Sequence, residues 1–313
     1  MSPFRIISFA IATMVLALSP AAAKDLTHLK VGMLPSVNSA AIILGIEKGF
    51  FKEEGLDIEP IFMGGGSELT VALMSGATQI SHIGSVNSVI ARSRGLPIKV
   101  LTAYLKEHSN PDEAYMQIVV RPDSGIKTIH DLEGKTIAVN EVRAYGETVV
   151  KAAFELAGMD PNSVKLVEVP FPDMANALES KQVDAIWTLE PFLTRSLDAG
   201  DVQIDAPAIA LGGKKNFFDG AWMSTETYIA ENPQVIDSFV RAMNRSTEYA
   251  AQHPDEIRNI IPTYTKVKAD LASRVRLPVF DSSLDPEMVD VISQHLIKYG
   301  ITDKAVSAAD LFR

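Results

Sequence analysis

What most constrains this chain is an alternation of short apolar runs with helical segments that starts near Leu29, breaks once and resumes. Residues 29–34 read as a strand, 40–47 as an apolar helix, 49–55 as a short helix and turn, and 56–62 as a second strand. Ser67 is placed to cap a helix running to about Met74, followed by a strand at 79–83, a helix at 86–92 and a strand at 98–104. Connections this short between unlike elements imply a largely parallel sheet with helices on both faces.

The polar run 106–113 interrupts the rhythm. A strong strand signal at 115–120 then leads into a second alternating unit, with strands at 136–139, 164–169 and 184–189 and helices near 146–156 and 173–179. Two similar α/β lobes account for this better than one continuous sheet. A weak internal repeat supports them: ALMSGATQISHIGSV, starting at Ala72, lies without a gap on ALESKQVDAIWTLEP, starting at Ala177. The alignment puts Ser85 opposite Glu190 at corresponding strand exits. Parallel strands present their carboxyl ends, and the following helices their amino ends, on one edge, where open α/β sheets bind ligands. Two such edges facing each other make a cleft.

After Gly212-Gly213 the pattern turns helical. A helix opens at Asn232-Pro233 and reaches about Gln252, with Val235, Phe239 and Met243 on its apolar stripe, and further helical segments follow near 254–261, 269–274 and 286–299. This tail is expected to return over the first lobe. The expected organisation is an export signal at 1–23, lobe 1 from 24–116, lobe 2 from 117–210, and the rest of lobe 1 with C-terminal helices from 211–313.

The first 23 residues combine Arg5, an apolar run and the small residues of an A-x-A cleavage site, as an export signal does. The run 6–18 is short for crossing a bilayer. The chain contains no cysteine. A lipid anchor on an N-terminal cysteine, disulfides and thiolate chemistry are therefore excluded, and the expectation is a free protein in an oxidising periplasm. A formal charge of -10 and a pI of about 5.1 speak against nucleic-acid binding.

Candidate ligand contacts come from the strand exits. Ser36, Asn38, Ser85 and Asn87 offer neutral hydrogen bonds, and Ser85 equally suits a helix cap. Gly64, Gly65 and Gly66 before Ser67 allow close backbone approach, either as a plain tight turn or as amides facing an oxyanion. They lack the GKS or GKT ending of a nucleotide loop. Arg143 suits a carboxylate or sulfonate, or an internal partner such as Glu141. Tyr145 offers a ring face and a hydroxyl. Glu190 suits a ligand amine or ring nitrogen, or the cap of the helix after Pro191. Trp187 and Trp222 suit stacking on a flat ligand or core filling.

Catalytic groupings are unconvincing. The six histidines are scattered, with no two at metal-ligand spacing. His82 reads as a residue at the core edge rather than a base. No G-x-S-x-G elbow or acid-base carboxylate pair is present. No cofactor is expected.

Taken together, VGMLPSVNSAAIILGIEKGFFKEEGLDIE, MGGGSELTVALMSGATQISHIG, DLEGKTIAV and QVDAIWTLEPF resemble the periplasmic substrate-binding proteins of ABC transporters, in the nitrate, sulfonate, taurine and thiamine-precursor group. The resemblance implies a bilobal fold of two mostly parallel, helix-flanked sheets that closes on one small organic ligand. It also implies a monomer that docks to an inner-membrane permease served by a separate ATPase subunit. It places Ser36 or Asn38, Gly66, Ser67, Ser85, Arg143, Tyr145 and Glu190 among the ligand contacts. Lacking a cysteine cluster, the chain is not expected to carry the pyrimidine-synthesising activity of that group. The ligand expected is an organic anion or zwitterion, such as a sulfonate or aromatic acid, or else a pyrimidine-like heterocycle. A periplasmic enzyme and a structural adaptor are the alternatives.

Overall fold

Alternation along the first strand sets the architecture. In β1 (Thr27–Met33), Leu29, Val31 and Met33 share one face and are fully buried, whereas His28 and Lys30 are exposed. The computed structural model describes residues 26–213, 215 and 217–313; the expected export signal at 1–23 lies outside the described residues. β1 pairs in parallel with β2 (Leu56–Phe62) and β3 (Ile80–Gly84). β4 (Ile98–Glu107) ends this part of the chain.

The second sheet is built from β5 (Met116–Val120), β6 (Thr136–Val139), β7 (Lys165–Glu168), β8 (Ala185–Leu189) and β9 (Val202–Asp205), in the order β7-β6-β8-β5-β9. The chain then returns as β10 (Phe217–Thr225), which inserts antiparallel between β3 and β4 and completes a first sheet of order β2-β1-β3-β10-β4. Each sheet is parallel apart from one strand, β5 or β10, the first strand after each passage between the sheets. Helices flank both sheets, and the fold is the expected two-sheet α/β arrangement.

The repeat is structural. The ungapped offset that pairs Ala72 with Ala177 carries helix Gly66–Met74 onto helix Phe171–Glu179, and β3 onto β8, residue for residue. In the tail, helix Pro233–Gln252 buries Ile236, Phe239 and Met243 and packs against helix Ala40–Glu47 of the first lobe.

Three local expectations need correction. β4 continues through the polar residues expected to end it, because Lys106 forms two backbone hydrogen bonds with Val279 (2.8 and 3.0 Å) and an ion pair with Asp281 (2.7 Å). Its last residue, Glu107, is buried and accepts backbone N–H bonds from His108, Tyr115 and Met116 at 2.7–3.0 Å, stapling the first passage between the sheets. β10 is longer than the three residues 221–223 that read as a strand, since a strand paired on both edges need not look amphipathic. Ser67 does not cap its helix: Gly65 is the N-cap and Ser67 is already inside.

Candidate ligand-binding site

The carboxyl edges of the two sheets meet, with Val37 N donating to the Glu190 carbonyl at 3.3 Å. Between them lies a cavity of about 40 Å³, room for a few water molecules. Its walls come from both lobes.

The glycine run has a specific partner. A Cβ on Gly65 would collide with the Glu141 carboxylate, and one on Gly66 with the Asn87 side-chain amide. Glu141 reaches across from the second lobe. Its Oε1 accepts from Ser67 N at 3.1 Å and its Oε2 from Asn87 Nδ2 at 3.2 Å. Asn87 Oδ1 in turn accepts from Tyr145 N at 3.0 Å. The oxyanion that the glycine loop and helix start attract is the protein's own carboxylate, and it holds the lobes together.

The second lobe supplies an aromatic wall. Tyr145 stacks on Trp187 with centroids 5.7 Å apart and rings 25° from parallel, and Phe171 packs on the same indole at 5.6 Å. Four buried polar atoms on the cavity walls have no hydrogen-bond partner in the protein: Asn38 Oδ1, Asn140 Oδ1, the Tyr145 hydroxyl and Trp187 Nε1. Each such atom costs about 1–3 kcal/mol when left unpaired.

The first lobe contributes the one carboxylate on the wall, Asp219. Phe218 and Gly220 lie opposite consecutive residues of β4, Lys106 and Leu105, so Asp219 between them has no partner across the ladder. Such a bulge re-aims a side chain. Asp219 is only 3% exposed. It accepts from the Tyr115 hydroxyl and, at 3.4 Å, from Asn38 Nδ2. Burial raises its pKa to about 6, against the opposing pull of Tyr115 and Tyr145. The Tyr145 hydroxyl is near enough to act on this carboxylate but makes no hydrogen bond of good geometry with it.

His82 also faces the cavity, its ring crossing Gly220, where a Cβ would lie 2.7 Å from His82 Cε1. Desolvation lowers its pKa to about 3, so the imidazole is neutral. No lysine or arginine is on the cavity wall among the described residues.

Of the residues singled out in the sequence, Asn38, Gly66, Asn87, Tyr145 and Trp187 are brought together on the cavity wall. Ser67 touches Glu141 through its backbone. The others lie elsewhere. Ser36 is buried in the turn after β1, accepting from Asn38 N. Ser85 is buried as the first residue of helix Ser85–Ser93, with Gly84 at the cap position. Arg143 has a left-handed backbone (φ 53) and donates to the Gly300 and Ile301 carbonyls at 3.0 and 3.3 Å. Glu190 is fully buried behind the wall, accepting from Thr194 N (3.0 Å), Thr194 Oγ1 (2.7 Å) and Arg276 N (3.0 Å). Trp222 packs in the first lobe against Tyr104, His82 and Phe239.

Asp219, Asn140 and Phe171 were missed, and His82 was read only as a core-edge residue. The available signal was a charged residue inside the run FFDGAWM. No group of three or more residues placed to hold a metal ion occurs among the described residues.

Comparison with known proteins agrees with this architecture. The alkanesulfonate-binding protein SsuA from Xanthomonas axonopodis superposes with a TM-score of 0.78 at 15% identity, covering 92% of this chain and 99% of its own. A formylaminopyrimidine-binding protein from Halalkalibacterium halodurans is 24% identical over 84% of this chain and 79% of its own length. A 4-amino-5-hydroxymethyl-2-methylpyrimidine phosphate synthase from Candida albicans is 28% identical over 67% of this chain, which spans 62% of the synthase. The family model described as "NMT1/THI5 like" matches residues 36–257, most of the chain. The protein belongs to the NMT1/THI5-like family and has the fold of the periplasmic binding proteins.

Proposed function

We propose that this protein is the periplasmic solute receptor of an ABC importer and that its ligand is a small aminopyrimidine-like heterocycle, carried unchanged to an inner-membrane permease. The observation that carries this reading is the cavity wall. Buried Asp219 and the unpartnered oxygens of Asn38 and Asn140 accept hydrogen bonds, the Trp187 indole and Tyr145 hydroxyl donate them, and no cation is present. A flat ring bearing an amine satisfies such a set between aromatic faces, and a sulfonate or carboxylate would meet Asp219 without a counter-charge. Arg143, the residue that suited an anion, is engaged with backbone carbonyls away from the cavity wall. The relative that binds a formylaminopyrimidine supports the same class.

A cavity of about 40 Å³ is smaller than a pyrimidine ring, so entry requires the lobes to part at the Glu141 contacts and to close again on the ligand. A self-filled structural cleft would have its polar atoms paired internally, and this one does not. The synthase among the relatives favours a second reading, chemistry on a pyrimidine.

Isothermal titration with 4-amino-5-hydroxymethyl-2-methylpyrimidine, a formylaminopyrimidine and taurine distinguishes these readings. The expected result is one-to-one binding of an aminopyrimidine, recovery of the compound unaltered, and no heat with taurine. Binding of taurine alone would overturn the ligand class; conversion of the pyrimidine would overturn the receptor role.

A further inference from the structure

We infer that His82 is a specificity residue held in one tautomer by Tyr104, so that its Nε2–H donates to an acceptor atom in the ring of the ligand. The inference deepens the aminopyrimidine reading and rests on it. His82 Nδ1 and the Tyr104 hydroxyl are 2.5 Å apart. The Tyr104 side chain is fully buried, and His82 Nδ1 is the acceptor its hydroxyl meets. If Nδ1 carried the proton, the tyrosine proton would be left without an acceptor in a buried site. Tyr104 therefore donates, Nδ1 accepts, and the neutral ring carries its hydrogen on Nε2.

The ring is locked as well as polarised. Tyr104 and Trp222 pack on it edge-on, with centroids at 5.4 and 6.1 Å, and Gly220 leaves the space its Cε1 edge occupies. Nδ1 is taken by Tyr104, so Nε2 is the nitrogen left to serve the cavity that His82 lines. Its neighbour on that wall, Asp219, is an acceptor one residue from Gly220. Donor and acceptor side by side match a ring nitrogen flanked by an exocyclic amine.

The test joins a ligand-free readout to a binding cycle. In 15N-resolved spectra of the histidine ring, the Nε2–H tautomer is expected for His82 in the wild type, with loss of the single-tautomer signature in Tyr104→Phe. Spectra showing the Nδ1–H tautomer would overturn the inference whatever the ligand. For binding, His82→Asn removes the Nε2 donor and His82→Gln keeps an N–H near that position. About tenfold weaker binding of the aminopyrimidine is expected in His82→Asn, largely restored in His82→Gln. An analogue with the ring nitrogen replaced by C–H should bind wild type and His82→Asn alike. Equal losses for both compounds would overturn the inference. Failure of any aminopyrimidine to bind the wild type would instead remove the ligand class, leaving the spectra to decide the tautomer.

Discussion

The exit of β8 and the middle of β10 each place a carboxylate in the interior, and the two behave differently. Glu190 and Asp219 are both buried, and burial raises each pKa to about 6. Glu190 receives three hydrogen bonds, two from Thr194 and one from the Arg276 backbone. The Arg276 side chain also holds Ala114 O and Gln203, so this carboxylate ties the tail to the second lobe. Asp219 sits on the cavity wall with a tyrosine hydroxyl and a long asparagine contact. A carboxylate satisfied by its own fold is architecture. One with bonding capacity left over, facing a cavity, is available to a ligand.

The comparison breaks most visibly through stability. Glu190→Ala strands two backbone N–H groups and a threonine hydroxyl in the interior, and should cost about 3 kcal/mol in chemical denaturation. Its folded fraction should bind an aminopyrimidine with affinity changed by no more than about threefold. Asp219→Asn should do the reverse, weakening that binding about 30-fold, the size of a hydrogen bond to a charged group, without destabilising the fold at pH 7.5.

The pH dependence follows from the raised pKa of Asp219. The folded protein holds this proton more tightly than the unfolded chain does, so the contribution to stability is complete below the unfolded value near 4. It is lost as pH rises through about 6. Denaturation midpoints of Asp219→Asn should therefore fall less than those of wild type between about pH 4 and 6. A slope unchanged by the substitution would place the titrating group elsewhere.

A smaller effect is expected at the lobe contact. Gly65→Ala drives a methyl group into the Glu141 carboxylate. The ligand-free radius of gyration in small-angle scattering should rise, and affinity should drop about fivefold as closure loses the Ser67 and Asn87 hydrogen bonds. The smallest effect is expected of Arg143→Ala, with aminopyrimidine affinity within about twofold of wild type, as for a surface substitution. A loss larger than that of Asp219→Asn would return the anion reading to favour.

Much of the fold was legible because hydrophobic period and turn residues act over a few neighbours. The strands at 56–62 and 136–139 and the helix at Pro233–Gln252 have the bounds expected of them. The repeat placed Ser85 and Glu190 at corresponding strand exits, Ser85 opening its helix and Glu190 lying just beyond β8. What failed locally did so through long-range partners: Val279 extends β4, and pairing with β3 and β4 makes β10 a long strand. Within the site, strand-exit logic found Asn38, Gly66, Asn87, Tyr145 and Trp187. It could not tell that Glu190 is consumed by Arg276, far along the chain, or that Arg143 turns toward Gly300.

The sequence by itself determined two α/β units with their loops aimed at a shared edge, because the alternation of apolar runs and turn residues is written locally. Only the tertiary structure decided what fills that edge. The Asp219 bulge depends on the register of β10 against β4, the Glu141 latch on contact between lobes, and the neutral His82 on a tyrosine from another strand. Each depends on residues distant in the chain becoming neighbours, and hydrogen-bond capacity and charge are settled by those neighbours rather than by residue type.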